Sequence, residues 1–382
     1  MASIEDILEG HGICVCAGSG GVGKTTTSAA IALGMAARGK KVCVLTIDPA
    51  KRLADSLGLE ELGNEATRVD PKLISEHGLE EEGGELWAMM LDAKETFDAL
   101  VSRHAEDAEA RDRVLNNRIY QQISGALAGS QEYMAMEKLF ELHSEGRFDL
   151  LVLDTPPSRN ALDFLDAPTR LTQFIEGKSL QVFIKPTGFA ARVAGRGAGV
   201  ALSVLKRLVG FDLLADLSEF FTAFSGMIDG FQDRAHRVSA LLADDETCFV
   251  VVCGPQSDQV DEAIFFHSKL IEQKMNFGGA VANRVRYRLG TKAPKVRALT
   301  STLEGELEDP ELAAVVARNL VEYDVLAQRD TKNIERLRQS LADEPVIRIP
   351  YLDTDVHDIA GLSVINRYLF ADEETRVKLA SE

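Results

Sequence analysis

The sequence predicts an α/β protein built on a doubly wound, mostly parallel sheet. Three observations carry that prediction: short apolar runs rich in β-branched residues recur along the 382 residues, helical stretches separate them, and a glycine-rich loop joins the first run to the first helix.

The runs are ICVCA (13–17), VCVLTI (42–47), LWAMML (86–91), LLVLD (150–154), CFVVVC (248–253), GGAVAN (278–283) and VIRIP (346–350). They are continuously apolar rather than alternating, the pattern of parallel strands buried on both faces. Two intervals, 94–145 and 160–246, are far longer than one crossover needs and carry helical periodicity. In the second, Leu213, Leu217, Phe220, Phe221 and Phe224 recur at three- and four-residue steps, with Asp212, Asp216 and Glu219 between them. The two intervals are expected to form one inserted helical subdomain, 94–145 plus 160–246. The sheet domain that carries the glycine-rich loop is expected to comprise 1–93, 146–159 and 247–382.

Composition excludes some classes of function. Sixty acidic against 42 basic side chains give a formal net charge of −18, which opposes a general grip on nucleic acid. The opening MASIEDILEG lacks the basic and apolar blocks of an export signal, and no run of 18 or more apolar residues reads as a membrane span. A cytoplasmic location is expected. Five cysteines lie in or beside apolar runs; Cys14 and Cys16, two apart on one strand, invite a metal reading, but core packing is expected for all five.

Two stretches depart from the acidic background. Residues 177–211 contain no Asp or Glu but hold Lys178, Lys185, Arg192, Arg196, Lys206 and Arg207. That stretch reads either as a solvated loop followed by a core-facing helix, or, across 177–224, as a surface for a hydrophobic client or membrane-protein partner, an anionic lipid or another subunit. Residues 276–302 likewise lack acids and hold Arg284, Arg286, Arg288, Lys292, Lys295 and Arg297; placed after a strand where ligand crevices form, they read either as groups that approach phosphates or a partner or as solvated surface charges.

The chemistry begins at AGSGGVGKTTT (17–27). Gly18, four residues, then Gly23, Lys24 and Thr25 match the phosphate-binding loop G-x-x-x-x-G-K-[ST], and the match follows a strand and opens a helix. Gly20, Gly21, Val22 and Gly23 offer backbone N–H groups to phosphates, Lys24 neutralises their charge, Thr25 reaches a Mg²⁺ ion, and Thr26 continues the cradle into the helix N-terminus. FDLLVLD ends a strand on Asp154, suited to the magnesium shell. TIDPAKRL places Asp48 at the end of the neighbouring strand, where it can orient or deprotonate the attacking water and approach the metal. ATP and Mg²⁺ are the expected ligands.

With GSGGVGKTT, TIDPAKRL, GSQEYMAMEKL, LDTPPSRNALDFLDAP and IPYLDTDVHDIAGL in this order, the chain resembles the arsenite-pump and tail-anchored-protein-targeting ATPase family. That resemblance implies a P-loop NTPase of the deviant Walker A type, working as a dimeric, Mg²⁺-dependent ATPase. It places Asp48 on the first switch as catalytic aspartate and Asp154 on the second switch in the magnesium shell. It puts Asn283, Pro350 and Tyr351 around the adenine ring.

The chain also departs from the family. It has no C-x-x-C for a shared zinc, its cysteines do not match metalloid-binding positions, and Ser158, Arg159 and Asn160 replace the usual second-switch residues. Ser19 stands where the family carries a lysine that crosses to the partner's nucleotide. Either a homodimer with slow or differently assisted hydrolysis follows, or a heterodimer with a related ATPase subunit that supplies the lysine.

Overall fold

The computed structural model describes residues 2–48, 51–76, 83–123, 130–155, 165–176, 220, 226–288, 290, 295–342 and 344–380. Its frame is an eight-stranded sheet of β1 (Ile13–Ala17), β2 (Lys41–Thr46), β3 (Thr67–Arg68), β4 (Glu85–Met90), β5 (Leu150–Asp154), β6 (Thr247–Cys253), β7 (Phe277–Val285) and β8 (Val346–Pro350), in the order β3-β4-β2-β5-β1-β6-β7-β8. Every pairing is parallel except β3 with β4. All seven apolar runs became strands. The short exposed β3 carries no apolar signal and could not be read from the sequence.

Helices cover both faces. In chain order they are α1 (Ile4–Ile7), α2 (Lys24–Ala37), α3 (Arg52–Ser56), α4 (Pro71–Glu76), α5 (Ala93–His104), α6 (Ala108–Leu115), α7 (Arg118–Ile123), α8 (Ser130–Glu145), α9 (Ala167–Glu176), α10 (Ile228–Leu242), α11 (Ser257–Glu272), α12 (Val296–Leu307), α13 (Pro310–Ser340), α14 (Ile359–Leu369) and α15 (Glu373–Leu379). Strand alternation sorts the core into two layers. Ile13, Val15 and Ala17 of β1 face a layer shared with α5, α8, α10, α11 and α13, whereas Cys14 and Cys16 face a layer filled by α2 and α14. The continuous apolar runs are therefore consumed on both sides at once, which is why they do not alternate.

The cysteines pack in these layers. Cys14, Cys16 and Cys248 lie on the α2 side and Cys43 and Cys253 on the other, all buried as free thiols. Burial pushes the Cys43, Cys248 and Cys253 thiols up to about 12, so they stay protonated and unreactive.

The described residues of interval 94–145 include α5 to α8, and α10 packs into the same core layer as α5 and α8. Glu137 of α8 is buried and accepts two hydrogen bonds from the Arg234 guanidinium of α10, at 2.7 and 3.0 Å from Nε. Phe220 is buried near Tyr120, with ring centroids 6.3 Å apart. The remainder of the predicted partner surface, including the basic residues of 177–211 and Leu213, Leu217, Phe221 and Phe224, lies outside the described residues, as do Ser158, Arg159 and Asn160.

Between β7 and β8 the chain forms an α12–α13 hairpin. Asp309 caps α13, accepting from the Glu311 and Leu312 N–H groups, and Pro310 takes the first helical position, where its missing N–H costs nothing.

Candidate nucleotide-binding site

The C-terminal ends of β1, β5 and β2 lie side by side, and the register fixes what meets there. Cys16 of β1 and Thr46 of β2 both face Asp154 of β5. The glycine-rich loop leaves β1 at this point and enters α2. Gly18 is held at φ +154°, and a Cβ there would run into the Val252 carbonyl of β6. Gly23 adopts φ +94°, and its Cβ would run into the Asn283 amide. Both positions need glycine for space and, at Gly23, for the left-handed backbone.

Gly23 caps α2 with no side-chain hydrogen bond, and no acidic residue occupies the first turn. By contrast, Asp92, Asp107, Asp309, Asp358 and Asp372 cap α5, α6, α13, α14 and α15 with their carboxylates. The N–H groups at the start of α2 therefore keep their positive potential for an anion. Lys24 is buried, and its Nζ donates to the Ser19 carbonyl at 2.9 Å. Burial draws the Lys24 ammonium below its ordinary pKa, against the charges of Asp154 and Asp48, which raise it.

Asp154 is 1% exposed. Its Oδ2 accepts from Thr25 Oγ1 at 2.7 Å and from Thr46 Oγ1 at 2.9 Å, while Oδ1 is buried with no hydrogen-bond partner among the described residues. Burial raises this carboxyl to about 6, and the negative charge of Asp48 adds to the rise; the two threonine hydroxyls and Lys24 oppose it. Thr46 Oγ1 also accepts the Asp48 N–H at 3.2 Å, which positions the backbone of Asp48 as it leaves β2.

These groups open onto a cavity of about 700 Å³, within the range of small-molecule sites. Gly21, Gly23, Lys24, Thr25, Thr26 and Asp48 line it on one side, and Asn283, Pro350 and Tyr351 on the other. Gly20 lies exposed on the loop turn just outside, and Val22 is buried behind it, its carbonyl accepting from Asn283 Nδ2 at 2.9 Å. Tyr351 is 56% exposed and offers its ring to the cavity, with the Arg286 guanidinium 5.4 Å from the ring centroid. The phosphate-loop residues, Asp48, Asp154, Asn283, Pro350 and Tyr351 thus lie at or beside one cavity.

Comparison of the sequence with known proteins points the same way. The family model described as anion-transporting ATPase matches residues 11–288. The chain belongs to that family. An "ATPase GET3" of Malassezia globosa is 32% identical over 185 residues, covering 47% of this chain and 51% of the relative, so the match spans about half of that protein. A "Putative arsenical pump-driving ATPase 1" of Aquifex aeolicus is 22% identical over 370 residues, covering 94% of this chain and 79% of the relative. An "ATPase ASNA1 homolog 1" of Paramecium tetraurelia is 24% identical over 291 residues, covering 75% and 79%. Membership of an ATPase family carries ATPase activity for this chain.

The sequence reading passed over several residues of the site. Thr46 joins Asp154 to Asp48, and its signal was a hydroxyl two residues before a strand-end aspartate. Arg52 lines the cavity from the first position of α3, as do Thr155, Asp355 and His357, and Arg284 of the second acid-free stretch joins them at the crevice. Arg284 has a left-handed φ of +60° and donates from Nη1 to the Gly21 carbonyl at 3.2 Å. Arg286 and Arg288, from the second acid-free stretch, are committed to Asp330 and Asp324 of α13 at 3.3 and 3.2 Å. No helix among the described residues is long and apolar enough to cross a membrane.

Proposed function

We propose that this chain is a Mg²⁺-dependent, ATP-specific ATPase that acts as a dimer and uses its nucleotide cycle to move a partner or client. The observation that carries this reading is the state of Asp154: one carboxylate oxygen is tied to Thr25 and Thr46, and the other is buried with no partner among the described residues. A buried polar atom without a partner is costly, and a cation supplies what this one lacks. With Thr25 and Asp48 it forms an all-oxygen donor set of the kind Mg²⁺ prefers.

In this reading Thr25, Asp154 and Asp48 hold Mg²⁺, which when bound neutralises phosphate charge and polarises the bond to be broken. The chain's own groups do the rest. The Gly20–Gly23 loop and the α2 N-terminus bind the phosphates through N–H groups, and Lys24 adds a charge whose burial strengthens each contact. Asp48 orients the attacking water and accepts its proton. Asn283, Pro350 and Tyr351 hold the base, so ATP is preferred to GTP. A reducing, cytoplasmic setting suits the five free thiols.

The test is direct: purified chain is titrated with ATP and GTP, and phosphate release is followed with Mg²⁺ and with EDTA. ATP preferred over GTP and Mg²⁺-dependent release support the reading; equal affinity for the two nucleotides, or release in EDTA, contradicts it.

Ser19 favours a second reading, in which the chain is a nucleotide-binding subunit with slow intrinsic hydrolysis that needs a lysine-bearing related subunit. Its hydroxyl is buried with no partner among the described residues, its carbonyl is taken by Lys24, and it brings no positive charge to the loop. Turnover that rises only when such a subunit is added, with unchanged ATP binding, separates this reading from the first.

A further inference from the structure

Strand β7 is irregular where it passes the phosphate loop. It pairs with β8 in register up to Ala282, opposite Arg348, and the next pair is Val285 with Pro350, so β7 carries one extra residue here. The alternation of the strand resets with it. Ala280, Ala282 and Val285 all lie in the core layer shared with α5 and α8, where an unbroken strand would send Val285 to the opposite face. At this bulge Arg284 takes a left-handed φ of +60°. The other non-glycine residues with left-handed φ among the described residues are Lys274, Glu308 and Ala342, each at the C-terminal end of a helix, where that backbone is an ordinary stop. Arg284 alone adopts it inside a strand, where it is strained.

The bulge brings two neighbouring side chains onto the loop. Arg284 Nη1 donates to the Gly21 carbonyl at 3.2 Å, and Asn283 Nδ2 donates to the Val22 carbonyl at 2.9 Å. The Arg284 N–H donates in turn to Asn283 Oδ1 at 2.9 Å, which fixes the amide with its nitrogen toward Val22. One strand end thus holds two successive carbonyls of the loop.

In a planar trans peptide the carbonyl and the N–H of the next residue point in opposite directions. Drawing the Gly21 and Val22 carbonyls toward β7 therefore turns the Val22 and Gly23 N–H groups away from it. Neither N–H has a hydrogen-bond partner among the described residues, so both are open to a ligand. We infer that Arg284 is a positioning residue for phosphate binding: its strained backbone keeps the guanidinium on Gly21, and this holds the loop with its N–H groups presented before a nucleotide arrives. The inference rests on the nucleotide-binding reading given above and assigns the shape of the loop to β7.

The same contact sets a positive charge beside the loop. Arg284 is exposed at the cavity and reaches the loop two residues beyond Ser19, which brings no charge of its own. Lys24, the α2 N-terminus and Arg284 all favour an anion there, and all three belong to this chain. Phosphate binding is then complete without a second subunit, and what Ser19 lacks bears on hydrolysis alone.

Arg284→Gly tests this, because glycine takes a left-handed backbone without strain and removes only the side chain; Arg284→Asn, which also tolerates that backbone, is the second variant. Both should keep the parent's thermal melting, since Arg284 is exposed. In calorimetric titrations ATP and GTP should each bind about ten-fold more weakly and by the same factor, because the loss falls on the phosphates that the two share. In the nucleotide-free chain the NMR order parameters of the Val22 and Gly23 amides should fall. A changed ratio of ATP to GTP affinity places Arg284 at the base and overturns the inference, as does unchanged affinity for both. Weaker binding with unaltered loop order also overturns it, since Arg284 then acts on phosphate directly and not through the loop. A parent chain that binds neither nucleotide overturns the nucleotide-binding reading instead, and the order parameters, measured without ligand, still decide what Arg284 does to the loop.

Discussion

Thr46 donates its hydroxyl proton to Asp154 at 2.9 Å and accepts the Asp48 N–H at 3.2 Å, so one small side chain ties the Asp154 carboxylate to the backbone of Asp48. The strand register makes this possible, since Thr46 of β2 faces Asp154 of β5 directly. Thr46→Val keeps the shape and removes both bonds. Hydrogen bonds to a charged group contribute about 1.5–3 kcal/mol, so turnover should fall roughly 10- to 100-fold while ATP affinity changes little. Steady-state kinetics beside equilibrium nucleotide binding checks this.

The raised carboxyl of Asp154 gives activity an acid limb. Metal and proton compete for the same oxygens, so the apparent Mg²⁺ affinity should be level above about pH 6 and fall as pH drops below it, with proton release on metal binding in that acid range. Mg²⁺ titrations from pH 5 to 8 read the midpoint. In Thr46→Val one of the hydrogen bonds that favours the ionised form is lost, so the midpoint moves upward.

Asp154→Asn should separate stability from function. Because the folded-state carboxyl titrates near 6 rather than 3.8, its ionised form destabilises the metal-free fold above about pH 6, and that cost disappears as pH falls through 6 toward 4. Two units correspond to about 3 kcal/mol at most, so the asparagine variant should be about 1–3 kcal/mol more stable at pH 7. Its Mg²⁺-dependent turnover should be lost. Chemical denaturation of metal-free protein at pH 5 and 8 measures the first part, and phosphate release the second.

Arg286→Ala removes both the guanidinium that pairs with Asp330 and the cation beside Tyr351. Asp330 is 6% exposed and keeps the residue 286 backbone N–H, so a loss of about 1–3 kcal/mol is expected rather than collapse. ATP affinity should weaken with it. Thermal melting together with fluorescent-nucleotide titration distinguishes this from a change confined to the surface.

The legible parts of this protein are those in which local chemistry determines position. The seven apolar runs had to be buried strands because their burial is two-sided, and Gly18, Gly23, Lys24 and Thr25 declare a phosphate loop by type and spacing alone. Asn283, Pro350 and Tyr351 were reached only through resemblance; their approach to the loop depends on β7 lying beside β6 and β8 beside β7, which no local pattern states. Thr46 was missed because it acts through a partner more than 100 residues away in the chain, Asp154, whereas Arg284 was placed at the crevice by its strand-end position but its bond to Gly21 was not legible. The α12–α13 hairpin was passed over because its apolar positions serve the core for half their length and leave it for the rest, so their periodicity does not reveal where the body ends.

The central claim is that Asp48 acts in hydrolysis and not in holding the nucleotide. Asp48→Asn should bind ATP within about three-fold of the parent chain and lose turnover by roughly 100-fold or more, as removal of a group that positions and deprotonates water requires. ATP binding and phosphate release measured on the same preparation decide it. Retained turnover contradicts the account, and so does an equal loss of binding and turnover.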